Sequence, residues 1–314
     1  MARDGFLPRS SERRRTTLTV IVITALVGVT VGTLGLASAR QQMPAAGGVS
    51  APAAAPQPPT ADPVIAVTGL SAAAGSLVGG EQQTITGSGL KAVSAIRIGS
   101  MLVADFIATD TSLTFEMPRS ERYLPGAVPV EIVASEATID MASPLEYTYE
   151  RRTAVDRQLE YAFRYWKDYN LAEWGTFNPV GGDCMNFVSQ TLIERGWEMT
   201  PEWHSYDVGA DYTSPWIYVP SFDAFLRDNP QLGAVQLGLD QRDQAKVGDL
   251  VVFDWNNNNA LDHIQIVSAI EQVDGRTVVK MVGHNLDSDL RDLDETITVD
   301  HPGATGYFWS LPAD

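Results

Sequence analysis

The sequence predicts a multidomain chain: an N-terminal membrane segment, an all-β sandwich, then an α+β domain. Three observations predict it. Residues 16–39 are uncharged and apolar behind a cluster of arginines. Residues 63–149 alternate short β-type runs with glycine and proline. After residue 150 helical periodicity begins, and all seven tryptophans and all four histidines fall there. With 314 residues and 44% hydrophobic side chains, the chain can fill two cores. Its net charge of −17 excludes nucleic acid as a partner.

Residues 1–40 hold six arginines against Asp4 and Glu12, so the remainder carries −21. Residues 1–15 read as a basic cytoplasmic segment. The 24-residue run Thr16–Ala39 is long enough to cross a bilayer, with the arginines staying inside. A transmembrane anchor is the expectation. A cleavable signal peptide is the rival, because Ala37-Ser38-Ala39 fits a cleavage pattern. Both put the rest of the chain outside the cytoplasm, anchored to the membrane or secreted to the cell wall. The Ala/Pro-rich stretch 40–62 reads as an extended linker.

Residues 63–150 read as a small antiparallel sandwich, from the runs VIAVTGL, QQTITGSGL, AIRIGSMLVADFIA, SLTFEMP, VPVEIVA and LEYTYE. The segment resembles the TIG (IPT) family of immunoglobulin-like domains. The resemblance is carried by Gly79-Gly80, by Thr84-Ile85-Thr86-Gly87-Ser88-Gly89-Leu90, by Ile96-Arg97-Ile98-Gly99, and by Pro118, Gly126 and Tyr147-Thr148-Tyr149. It implies a spacer or contact module, and no catalytic set stands out.

Residues 151–314 read as the α+β domain. Val155, Leu159, Ala162, Phe163, Trp166 and Tyr169 share one face of a helix spanning 153–170. The stretch GGDCMNFVSQTLIERG at 181–196 follows and holds Cys184, the chain's one cysteine. Asp183 is a good N-cap residue, and Gly196 a natural stop. Cys184 then sits in a first helical turn, where the helix dipole favours a thiolate. In an oxidising compartment a thiol without a partner points to reactivity over stapling. Residues 220–229 read as a short helix. Strands follow at 250–253, 263–270 and 277–282, with Asp274-Gly275 as a hairpin turn. The acidic run 287–295 reads as a solvated loop.

A thiol nucleophile needs a base, and the base a group to orient it. His263 opens a strand, and His284 and Asn285 close the next one, where cross-strand reach brings either to the His263 ring. Residues 154–285 resemble the putative amidase domain family, a branch of the papain-like superfamily linked to bacterial cell-wall hydrolysis. The matching segments are AVDRQLEYAFRYW, Asn178-Pro179, Asp183-Cys184-x-Asn186-Phe187-Val188-Ser189-Gln190, Trp216, Gly248-Asp249, Asp262-His263-x-Gln265-Ile266-Val267 and His284. Met185 departs from the threonine frequent there. The resemblance implies a papain-like α+β fold with Cys184 as nucleophile and His263 as base. It also implies a third residue, here assigned to His284 with Asn285 as alternative. Asn178 stands where such enzymes place an oxyanion donor.

The reading is an extracytoplasmic cysteine amidase or peptidase acting on cell-wall peptide of peptidoglycan, with no cofactor required. The alternative is a non-catalytic wall-binding or adhesion protein carrying a decayed hydrolase domain. A third keeps the chemistry but transfers the acyl group to an amine. Asp254, Asn256, Asn258 and Asp262 fall at positions 1, 3, 5 and 9 of a calcium-loop register; Asn259 and Gln265 replace its glycine and glutamate. A polar turn competes with calcium there. The sequence fixes no oligomeric state.

Overall fold

The computed structural model describes residues 64–135 and 137–313. The basic segment, the apolar run 16–39 and the linker lie outside the described residues. Among the described residues no helix is long and apolar enough to cross a membrane.

Ten strands come first: β1 (Val64–Leu70), β2 (Ala74–Ser76), β3 (Gln82–Ser88), β4 (Ala95–Ile98), β5 (Met101–Val103), β6 (Ile107–Ala108), β7 (Ser112–Glu116), β8 (Gly126–Val133), β9 (Thr138–Met141) and β10 (Leu145–Glu150). They form two five-stranded sheets, ordered β6-β7-β3-β1-β9 and β2-β10-β8-β4-β5. Pairing is antiparallel except for β1 with β9 and β10 with β2. Alternation explains the packing: Ile65, Val67, Ile85, Leu113 and Phe115 of one sheet are buried in the same cluster as Ile96, Ile98, Val130 and Tyr147 of the other. The expected strands form. The run 95–108 divides into three, and β2 and β9 are too short to show a period. Gly79 turns the chain at φ 68°, where a Cβ would lie 2.5 Å from the Met117 carbonyl oxygen.

The second part runs α1 (Ala154–Tyr165), α2 (Leu171–Trp174), α3 (Cys184–Arg195), β11 (Ser205–Tyr206), β12 (Asp211–Tyr212), α4 (Ser214–Ile217) and α5 (Val219–Asp228). It continues with β13 (Val235–Gly238), β14 (Leu250–Asp254), β15 (His263–Val273), β16 (Arg276–Gly283), β17 (Ser288–Asp292), α6 (Leu293–Glu295) and β18 (Thr305–Ser310). The sheet order is β13-β18-β14-β15-β16-β17, antiparallel throughout. Leu250, Val252, Ile264 and Ile266 face the core shared with α1 and α3. Val251, Phe253, Val267, Met281 and Phe308 fill the opposite face. Asp274 and Gly275 both take positive φ, 51° and 73°, and close the two-residue β15–β16 hairpin.

Two expectations are corrected. Helix α1 stops at Tyr165, so Trp166 and Tyr169 leave its face. The acidic run 287–295 is ordered: it supplies edge strand β17 and helix α6. Asp292 meets Lys280 at 2.9 Å and accepts from the Glu295 N–H, while Asp294 meets Arg242 at 2.7 Å. Lys280 and Arg242 thus pair with two carboxylates of the run, and Asp287 is held by the Tyr169 hydroxyl and the Asn285 N–H.

The sandwich shares a continuous buried cluster with the α+β part. Asp156, in the first turn of α1, is fully buried. Its Oδ1 accepts from Ser76 Oγ at 2.6 Å and the Val78 N–H at 3.0 Å; its Oδ2 accepts from the Arg152 and Thr153 N–H groups at 2.8 and 2.9 Å. Thr153 completes a reciprocal capping box. Tyr123, from the loop before β8, lies 4.7 Å from the Phe163 ring centroid, and its hydroxyl donates to the Ser268 carbonyl at a β-bulge in β15.

Asp156→Asn turns two accepted N–H bonds into N–H against N–H. Urea denaturation is expected to show a loss of about 2–3 kcal/mol. An unchanged midpoint would show that the capping box does not depend on this carboxylate.

Candidate active site

Loop 175–183 delivers Cys184 to its place. Asn178–Val180 forms one 3-10 turn. Gly181 and Gly182 follow at φ 133° and 134°, a region L side chains rarely adopt. A Cβ on Gly182 would stand 3.1 Å from Asn285 Oδ1. Gly182 therefore lets the loop press against Asn285, just past the end of β16.

Asp183 does not cap α3 with its side chain. Its carboxylate turns inward, 1% exposed. Oδ1 accepts from the Phe177 N–H at 2.7 Å and from Asn186 Nδ2 at 3.1 Å. Oδ2 meets His284 Nδ1 at 2.9 Å. The Asp183 N–H donates to Asn285 Oδ1. The loop, the helix start and the strand end are thus tied at one buried carboxylate, a stronger demand on the side chain than an open first turn.

The other polar residues of the helix are taken up by neighbouring aromatics. Asn186 Oδ1 accepts from Trp216 Nε1 at 2.8 Å. Ser189 Oγ donates to the Trp216 carbonyl at 3.0 Å and accepts from Trp203 Nε1 at 3.2 Å. Gln190 Oε1 accepts from the Tyr161 hydroxyl at 2.8 Å. Helix α3 is buried except at Ile193 and Glu194 in its last turn, and these polar groups inside it have partners.

Cys184 is the first residue of α3 and is 8% exposed. Burial pushes its thiol up to about 11, against the backbone N–H groups of Ile264, Met185 and Cys184, which pull it down. The thiolate expected at this helix start is thus not the resting form. Desolvation outweighs the dipole. His263, first residue of β15, is buried, and burial, with Arg291 and His301 nearby, pushes its imidazole down to about 3. Its Nε2 is buried with no hydrogen-bond partner among the described residues. Thiol and imidazole are both neutral at pH 7.

Cys184, His263, Asn178 and Asn285 line one cleft, with Asp262, Trp255 and His301. Asn285 Nδ2 donates to Asn178 Oδ1. His284 is elsewhere. Its ring is sandwiched between Tyr169, at 3.5 Å, and Phe187, at 3.9 Å, and its Nε2 donates to the Tyr165 carbonyl at 2.8 Å. With both nitrogens engaged and the ring buried, it does not orient His263. It braces Asp183.

Trp255 and His301 were not singled out by sequence. Their rings stack at 3.9 Å, and Trp255 also stacks on His263 at 5.3 Å. Only the sheet brings these distant positions together; the visible trace was an aromatic residue just past a strand end.

The calcium-register residues form a turn. Asp254 Oδ1 and Oδ2 accept from the Asn258 and Asn259 N–H groups at 3.0 and 2.6 Å, and Asp262 Oδ2 from Trp255 N–H at 2.8 Å. Asn258 Oδ1 accepts from Ala260 N–H at 2.8 Å, and Asn256 is exposed. Among the described residues no group of three or more His, Cys, Asp or Glu side chains could hold a metal ion.

Comparison with known proteins gives two family matches: Putative amidase domain over residues 148–309 and IPT/TIG domain over 65–149. No curated protein matches. Among solved structures, the plexin A4 extracellular region is similar at 25% identity and a TM-score of 0.22, covering 27% of this chain and 8% of that one. A Bacteroides ovatus protein, SGBP-B of a mixed-linkage glucan utilization locus, solved with a heptasaccharide, matches at 11% identity and a TM-score of 0.23. That match covers 79% of this chain and 52% of the other. The chain thus spans under a tenth of the plexin and about half of the second structure.

Two pH effects are expected. Alkylation of Cys184 by iodoacetamide should be slow at pH 7 and rise about tenfold per pH unit toward alkaline solution. A plateau already reached at pH 7 would indicate a resting thiolate. His263 has a folded value below its unfolded one, so stability is lost as pH falls from about 6.5 toward about 3. At pH 5 the loss relative to pH 7 should be about 2 kcal/mol greater than in His263→Gln, read by urea denaturation. Parallel curves for the two proteins would contradict a buried neutral imidazole.

Proposed function

From the premise that this chain belongs to the Putative amidase domain family, and so is a hydrolase acting on amides, we propose that it is an extracytoplasmic cysteine amidase or endopeptidase cleaving cell-wall peptide. The observation that carries this reading is the sole thiol of the chain, at a helix start, sharing a cleft with a neutral histidine whose Nε2 has no hydrogen-bond partner among the described residues.

The neutral pair suits a coupled step. Cys184 Sγ attacks the amide carbon while its proton passes to His263. The tetrahedral oxyanion is stabilised by the Cys184 N–H and the Asn178 side-chain amide. The C–N bond breaks as His263 returns the proton to the leaving amine. Water, activated by His263, then cleaves the thioester and restores the thiol. Asn285 acts by fixing Asn178 and the Asp183 backbone, and Asp183 with His284 by holding the loop. The basic segment and apolar run at the N-terminus support action outside the cytoplasm, and the linker and sandwich would carry the catalytic part away from the membrane.

Cys184→Ala is expected to reduce release of peptide fragments from purified peptidoglycan by about a thousandfold or more, read by mass spectrometry, with an unchanged thermal midpoint. Retention of full activity in that variant would end the reading.

A further inference from the structure

Two cavities flank Cys184, and both are bordered by Gly181, Gly182 and Asp262. One continues between Tyr218 and Leu261; the other reaches Asn285 and His301. Among the residues lining these two cavities, Asp262 is the only carboxylate, and no Lys or Arg accompanies it. Its side chain is exposed, yet not free to swing. Oδ2 accepts from Trp255 N–H at 2.8 Å, and the Asp262 N–H donates to the Phe253 carbonyl at 2.8 Å. Among the described residues the Trp255 N–H is the hydrogen-bond partner of its carboxylate, and no Lys or Arg forms an ion pair with it.

A fixed carboxylate beside a reacting sulfur, in a cleft lined by no second carboxylate and by no lysine or arginine, favours a cation on the ligand and disfavours an anion. We propose that Asp262 is a specificity-determining residue that binds a free ammonium group of the substrate, within about one residue of the scissile amide. The substrate class is a peptide with an unacylated α-amine or side-chain amine at that position. The proposal rests on the reading of Cys184 as the reacting atom, and it deepens that reading by naming what the cleft selects.

Asp262→Asn keeps an oxygen for the Trp255 N–H and removes the charge. Because Cys184 is the chain's one cysteine, alkylation reports on this cleft alone. The rates for cationic 2-bromoethylamine, neutral iodoacetamide and anionic iodoacetate are compared in wild type and variant. The bromoethylamine-to-iodoacetate ratio is expected to fall about tenfold in Asp262→Asn, with the iodoacetamide rate little changed. An unchanged ratio, or an equal change for all three reagents, overturns the proposal. In a second arm, the tetrapeptide L-Ala-γ-D-Glu-L-Lys-D-Ala is compared with its α- and ε-acetylated forms. Acetylation of one amine should lower wild-type kcat/KM and leave the variant indifferent; equal loss in both proteins overturns it. If the alkylation ratio falls but no peptide is cut, the cation site stands and the amidase reading fails.

Discussion

The arrangement around Cys184 depends on one buried carboxylate. Asp183 joins the loop before the helix, through the Phe177 N–H, to the helix itself, through Asn186, and to the end of β16, through His284. Hydrogen-bond accounting makes the His284 contacts strong. A carbonyl faces one ring nitrogen and a carboxylate the other, and Tyr169 and Phe187 cover the two ring faces. A buried ring held at both nitrogens and on both faces tolerates little displacement. The sulfur one residue along the chain inherits that rigidity.

The same logic extends to the sandwich. A spacer on a flexible connection would need no buried contact with the catalytic part. Here Asp156 satisfies the start of α1 and two groups of the β2 turn at once. Tyr123 takes φ 52°, an uncommon conformation for a bulky residue, and it is held there by a fully buried side chain. Its hydroxyl meets the strand that begins with His263. The two parts behave as one packed unit, and the sandwich contributes to the ground on which the cleft is built.

Much of this was legible in the sequence, for reasons that can be stated. Local signals were clear: the period-2 runs of β1, β3 and β7, the Asp274-Gly275 turn, and the glycine pair before a helical stretch. What was not legible was long-range. The Asp183–His284 pair spans a hundred residues of chain, and sequence offered His284 only as a cross-strand neighbour of His263. Trp255 and His301 converge through the sheet, with no shared period. The raised Cys184 thiol is not legible either: a helix start suggests a positive dipole but says nothing about desolvation, which the packed core decides.

The proposed turnover requires the substrate's acyl group to reside on Cys184. Its most direct test is acid-quenched mass spectrometry of the protein caught digesting peptidoglycan fragments. An added acyl mass is expected, confined to the peptide that contains Cys184 and lost on mild treatment with hydroxylamine. Turnover with no adduct there, or with the mass on another side chain, would contradict it.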